Sequence, residues 1–74
     1  MSWFYVKVII FDGFLDTVTY VLVLAPYKEA AIETVSNTFE HAKRIAVLEQ
    51  LPSDQPIDNN QYPTKYTLVH QQKD

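Results

Sequence analysis

Residues 3–25, with the sequence WFYVKVIIFDGFLDTVTYVLVLA, constrain the fold more than any other part of the chain. β-Branched and aromatic residues dominate both halves of this stretch, and Gly13, the one glycine of the sequence, lies between them. Such residues favour strands, and Asp-Gly between two apolar runs is typical of a hairpin turn. The stretch therefore predicts two antiparallel strands joined near Asp12 and Gly13.

Two turns fit this hairpin, and the choice matters because a one-residue slip exchanges the two faces of a strand. A two-residue turn pairs Phe11 with Phe14 and places Thr17 and Thr19 towards the core. A three-residue loop pairs Phe11 with Leu15 instead. It places four larger side chains beside Val6 and Val8 in the core, namely Val18, Tyr20, Leu22 and Leu24. We favour the three-residue loop because it buries more apolar surface.

Strand one, over residues 3–11, is apolar on both faces. Its even-numbered residues carry no charge and are expected to face the core: Phe4, Val6, Val8 and Ile10. The outer face defines the candidate interaction residues, which are Trp3, Tyr5, Lys7, Ile9 and Phe11, joined by Val21 and Val23 in the favoured register. Monomers seldom expose such a patch, and aromatic residues are enriched at interface centres. We expect an interface here, and the alternative is that the Pro-rich loop folds over this face.

The remainder of the chain predicts a helix and two more strands. Pro26 suits the first position of a helix that ends near residue 40 or 42, with apolar residues recurring every three or four positions. That stripe comprises Tyr27, Ala31, Ile32, Val35, Phe39 and Ala42. Strand three covers residues 44–51 and is followed by a Pro-rich loop over residues 52–63. The C-terminal segment 64–71 contains the fourth strand, over residues 65–71. We expect residues 72–74 to fray.

These elements predict an α+β fold with the order ββαββ. The preferred arrangement is a four-stranded, mainly antiparallel sheet with strand order 2-1-3-4 and the helix packed on one face. A rival order places strand two inside the sheet. The lack of charge in strand two favours the rival order, because exposed edges normally carry charge, proline or a bulge.

The length and the net charge of the chain limit the classes of protein to which it can belong. The 74 residues form one small domain, with a hairpin-helix-strand core over 1–51. No cysteine is present, so neither disulfides nor thiolate metal sites stabilise it, and oligomerisation is the common remaining remedy. A net charge of −3 with scattered basic residues makes a nucleic-acid partner unlikely on electrostatic grounds. Neither a secretory signal nor an uninterrupted apolar span is evident, so we expect no membrane association and a cytoplasmic location.

Catalytic and metal-binding patterns are not found in the sequence. His41 and His70 are the two histidines, and their spacing matches no zinc motif. The serines occupy no strand-to-helix elbow, and a single glycine cannot form a phosphate-binding loop. We therefore expect a protein that is not an enzyme, with no catalytic residues, no bound metal and no cofactor.

The function predicted from these observations is binding without catalysis. We expect a module that forms a homodimer or higher oligomer through the hairpin and acts as an adaptor or inhibitor of a partner protein, as accessory and viral regulatory proteins do. One alternative is binding of single-stranded nucleic acid to the aromatic sheet face. A further alternative is a small molecule bound at a subunit interface.

Overall fold

The computed structural model describes residues 1–71 and contains five elements in the predicted order. The strands are β1 (Ser2–Phe11), β2 (Asp16–Ala25), β3 (Ala42–Pro52) and β4 (Tyr66–Val69), and the helix is α1 (Lys28–Thr38). The predicted α+β class and ββαββ order are confirmed. The expected fraying of 72–74 lies outside the described residues.

The strand order is β3-β1-β2-β4, so the preferred order 2-1-3-4 is wrong and the rival placement of strand two inside the sheet is confirmed. β1 pairs antiparallel with both β2 and β3, whereas β4 pairs parallel with β2. The uncharged segment of β2 from Val21 to Leu24 is thereby covered by β4. The sheet is mixed, with antiparallel pairing in the majority.

The hairpin register matches neither turn expected from the sequence. Phe11 pairs with Asp16, which leaves residues 12–15 in the loop. The Asp12 carboxylate accepts hydrogen bonds from the backbone N–H groups of Phe14 and Leu15, each at 2.9 Å, and Gly13 takes a positive φ of 104°. The aspartate side chain therefore forms the turn, as Asx turns do. Phe11 pairs one residue later in the chain than the favoured three-residue loop predicts, with Asp16 in place of Leu15.

This register corrects the assignment of faces. Even-numbered residues of β1 pair with odd-numbered residues of β2, so Val6 lies beside Val21 and Phe4 beside Val23. Val21 and Val23 are fully buried in the core on the face covered by α1, and not on the outer face as expected. The four side chains expected beside Val6 and Val8 lie on the opposite face instead: Val18, Tyr20, Leu22 and Leu24.

The core lies between the sheet and α1. Its fully buried residues are Phe4, Val6, Val8, Val21, Val23, Ala25, Ala30, Ala31 and Val35, with Ile10, Phe39, Ala42, Ile45, Val47 and Leu68 packed around them. The prediction that even residues of strand one face the core is confirmed.

The helix is shorter than expected at both ends. It begins at Lys28 with Tyr27 as the capping residue, so Pro26 is not its first residue, and Tyr27 is exposed. It ends at Thr38 because Phe39 is extended and Ala42 already pairs with Ile10 in the sheet. The small residues Ala30 and Ala31 allow the helix to approach the sheet closely.

Candidate interaction surface on the open face

The face of the sheet opposite α1, here called the open face, carries the predicted outer residues of strand one. Trp3, Tyr5, Lys7, Ile9 and Phe11 all lie on it, paired across β2 with Leu24, Leu22, Tyr20, Val18 and Asp16. The structure therefore brings together five of the seven candidate residues. Val21 and Val23 are excluded from this surface by the register.

A loop covers one half of the open face. β3 and β4 occupy opposite edges of the sheet, about 14 Å apart at a strand spacing of about 4.8 Å, so residues 53–65 must cross the sheet. The Tyr5 hydroxyl donates a hydrogen bond of 2.9 Å to the Pro63 carbonyl oxygen, which fixes the crossing on the open face. Tyr5 and Leu22 are only 9% and 4% exposed.

Three tyrosines form the contact between the loop and the sheet. The Tyr5 ring stacks on Tyr20 at a centroid distance of 5.5 Å and meets the edge of Tyr62 at 5.3 Å. Burial and then the neighbouring Tyr20 raise the pKa of Tyr5. The pKa of Tyr62 is raised mainly by hydrogen bonding to the Glu49 carboxylate. Burial, and then the negative charge of Glu49, raise it further. Both phenols are therefore neutral at physiological pH and act as hydrogen-bonding packing groups.

The other half of the open face, at the turn end of the hairpin, has no such cover among residues 1–71. Phe11 and Val18 are 48% and 47% exposed, and at the turn itself Phe14 and Leu15 are 91% and 71% exposed. Ile9, directly opposite Val18, is half-buried. We call these five residues, Ile9, Phe11, Phe14, Leu15 and Val18, the tip surface. Large exposed apolar side chains that adjoin one another in this way are typical of interaction sites.

Charged side chains flank the tip surface unequally on its two sides. On the β3 side, Arg44 lies directly opposite Ile9, and Lys43 is the extra residue at a β-bulge. On the β2 side, the Asp16 carboxylate accepts a hydrogen bond of 3.2 Å from the Lys43 ammonium group, and both of these side chains are largely exposed. Basic groups therefore border one side of the apolar patch and an acidic group borders the other.

The sequence identified part of this surface and missed part of it. Ile9 and Phe11 were predicted from the alternation in strand one, and Trp3 and Tyr5 lie at the covered end. Phe14, Leu15 and Val18 are not among the predicted residues, because the favoured register places Val18 in the core and the alternation of a strand does not extend into a turn. The signal that points to a longer turn is Asp12, because an aspartate side chain can accept hydrogen bonds from the backbone of the following residues.

The described residues contain no group of three or more metal-binding side chains, and none of their helices is long and apolar enough to cross a membrane. No protein-family model, no curated protein and no solved structure matches this chain.

Proposed function

We propose that the protein is a non-catalytic interaction module that forms a homodimer through the tip surface. The observation that supports this most is the exposure of four large apolar side chains at the turn end of the hairpin: Phe11, Phe14, Leu15 and Val18. Burying them removes apolar area from water at about 25 cal/mol per Å², which is the main favourable term in association.

The arrangement of charge favours a second copy of this chain as the occupant. A twofold axis that lies between the two sheets places the β3 side of one copy over the β2 side of the other, with the sheets converging at the tip surface so that the two covering loops, at the other end, do not meet. Ile9 then packs over Val18 of the second copy, and Arg44 approaches Asp16 of the second copy, where it adds to the contact that Asp16 makes with Lys43 of its own chain. A self-complementary patch of this kind is what a twofold interface requires.

A homodimer leaves α1 and the β4 edge of each copy facing outward. Two identical outward surfaces suit an adaptor, or an inhibitor that binds a partner protein twice. The proposed location is the cytoplasm, where a domain without cysteine needs no disulfide to fold. The nucleic-acid alternative requires free aromatic rings on the sheet, whereas the Tyr5 ring is covered by Tyr62 and Pro63.

Sedimentation equilibrium over a range of micromolar concentrations tests the dimer. The wild-type chain is expected to sediment as a dimer, and Val18→Lys as a monomer. Each subunit then places an ammonium group in the interface beside Arg44 of the other subunit, and an unpaired charge of this kind costs about 3 kcal/mol, which raises the dissociation constant by at least about 100-fold.

Val69→Lys is the matched control, because Val69 is another strand valine of similar exposure, 54%, outside the tip surface. It is expected to leave the dimer intact. A wild-type chain that remains monomeric at the highest concentration contradicts the proposal, as does equal dissociation in both variants.

A further inference from the structure

A groove separates α1 from β4 on the side of the molecule away from the tip surface. It has a volume of about 590 Å³, within the range of about 300–1,000 Å³ that is usual for ligand sites. The helix contributes Glu33, Thr34, Asn37 and Thr38 to its walls, and the strand side contributes Val69 and His70. Most of these side chains are polar, so the groove suits a ligand that forms hydrogen bonds.

The edge of the sheet runs beside this groove. β4 is the last strand in the order β3-β1-β2-β4, and within residues 1–71 no strand pairs with its outer side. Its inner side pairs with β2. The pairing continues beyond both ends of β4, because Lys65 N–H donates to Tyr20 O at 2.9 Å and His70 N–H donates to Leu24 O at 2.8 Å. An unpaired edge presents backbone donors and acceptors to an added strand.

The groove meets the C-terminal end of β4. Val69 and His70 form its wall on that side, and its helical wall runs over the six residues from Glu33 to Thr38, about 9 Å at 1.5 Å per residue. The four residues of β4 span about 13 Å at 3.3 Å per residue. A segment of four or five residues that pairs with β4 therefore places a side chain at one of its ends in the groove.

Hydrogen bonds within the groove fix Nδ1 of His70 as a donor. Thr34 Oγ1 donates its one hydrogen to Ala30 O at 2.8 Å, so its contact of 2.9 Å with His70 Nδ1 requires that nitrogen to donate. In the neutral imidazole, Nε2 is then an acceptor. Among residues 1–71, Glu33 is the one acidic residue in the groove walls and adds a carboxylate acceptor, and neither lysine nor arginine lines the groove.

We propose that this groove binds an extended segment of a partner protein, which adds as a fifth strand to the outer edge of β4. The segment carries a hydrogen-bond donor such as a lysine, arginine, serine or threonine side chain, which is recognised by His70 Nε2 and the Glu33 carboxylate. Backbone pairing supplies affinity, and these two acceptors supply selectivity. The inference does not depend on dimerisation, because the groove lies within one copy.

Selection from a phage-displayed library of random seven-residue peptides against the full chain tests the proposal. Enriched peptides are expected to share a basic or hydroxyl residue at one position. Their affinities are then measured by fluorescence anisotropy against variants. Asn37→Arg fills the groove and repels basic segments, and it is expected to weaken binding by about tenfold or more.

Ser36→Arg is the matched control, because Ser36 is exposed on the same helix and does not line the groove. It adds the same charge and is expected to leave binding unchanged. His70→Asn retains a donor towards Thr34 and removes the Nε2 acceptor, and it is expected to weaken binding by roughly twofold to tenfold. Circular dichroism confirms that each variant is folded.

Two results overturn the proposal: no enrichment over an unrelated protein, or enriched peptides that bind Asn37→Arg and the wild-type chain equally. Val18→Lys separates this site from the tip surface. It is expected to leave peptide affinity unchanged while it dissociates the dimer, so either proposal can fail without the other.

Discussion

At the residue scale, the hairpin register lowers stability at one position, Thr19. The register turns Thr19 towards α1, where its side chain is 8% exposed and its Oγ1 has no hydrogen-bond partner within residues 1–71. A buried hydroxyl without a partner is destabilising because it has lost its bonds to water. The sequence made Thr17 and Thr19 appear suited to solvent, and for Thr19 that expectation is wrong.

Replacing Thr19 by valine is expected to stabilise the protein. The substitution keeps the shape of the side chain and removes the unpaired hydroxyl, so the free energy of unfolding should rise by about 1 kcal/mol. Urea denaturation measures it. Thr17→Val makes the same change at the exposed neighbouring position on the same face and should leave the free energy within about 0.5 kcal/mol. A loss of stability in Thr19→Val would show that the hydroxyl has a partner in solution.

Tyr5 joins the sheet to the loop by one hydrogen bond. Tyr5→Phe removes the bond to Pro63 O and is expected to lower the free energy of unfolding by about 1 kcal/mol. Tyr27→Phe, at an exposed position, is the control and should have no measurable effect.

The same residue predicts how stability depends on pH. Because the pKa of Tyr5 is raised above the ordinary value of a tyrosine, about 10, the neutral phenol is favoured in the folded state. This contribution is present below pH 10 and is lost as pH rises through the folded pKa. The wild-type chain should therefore lose stability above about pH 10 more steeply than Tyr5→Phe does. Tyr62 shifts in the same direction, so some loss persists in the variant.

At the scale of elements, the hairpin turn depends on two residues with separate tasks. Asp12 accepts the N–H groups of Phe14 and Leu15, and these bonds lower its pKa. Gly13 supplies the positive φ of 104°, and a Cβ added there would contact nothing within 4 Å. The requirement for glycine is therefore a matter of backbone conformation and not of space.

Gly13→Ala is expected to cost about 1 kcal/mol or more of stability, because an L-residue is strained at this φ. A synthetic chain with D-alanine at position 13 is the control, since D-residues favour positive φ. Thermal unfolding should show a lower midpoint for L-alanine and an unchanged or higher midpoint for D-alanine. Equal losses in both would show that the methyl group, and not the backbone, is responsible.

The sequence predicted the helix and the strands more accurately than it predicted how the strands pair with one another. Alternation in strand one identified its core face, and the apolar stripe identified the helix. The register depended on a side-chain hydrogen bond from Asp12, which periodicity does not report. The strand order depended on which edge the short β4 joins, and the loop of residues 53–65 is long enough to reach either edge.

At the scale of the whole molecule, the crossing loop decides which surface is available for binding. Tyr62 and Pro63 cover Tyr5, whereas the tip surface at the other end of the same strands stays exposed. The alternative expected for the outer face, cover by the Pro-rich loop, therefore applies to one half, and the expected interface stays a proposal for the exposed half. The sequence could not divide the face because the path of the loop is set by the strand order.

Intermolecular nuclear Overhauser effects in a sample that mixes isotope-labelled and unlabelled chains test the dimer most directly. The proposed twofold interface predicts contacts between chains from Ile9 to Val18 and involving the Phe11 ring. Contacts between chains that lie only elsewhere, or none at concentrations where the protein sediments as a dimer, would contradict it.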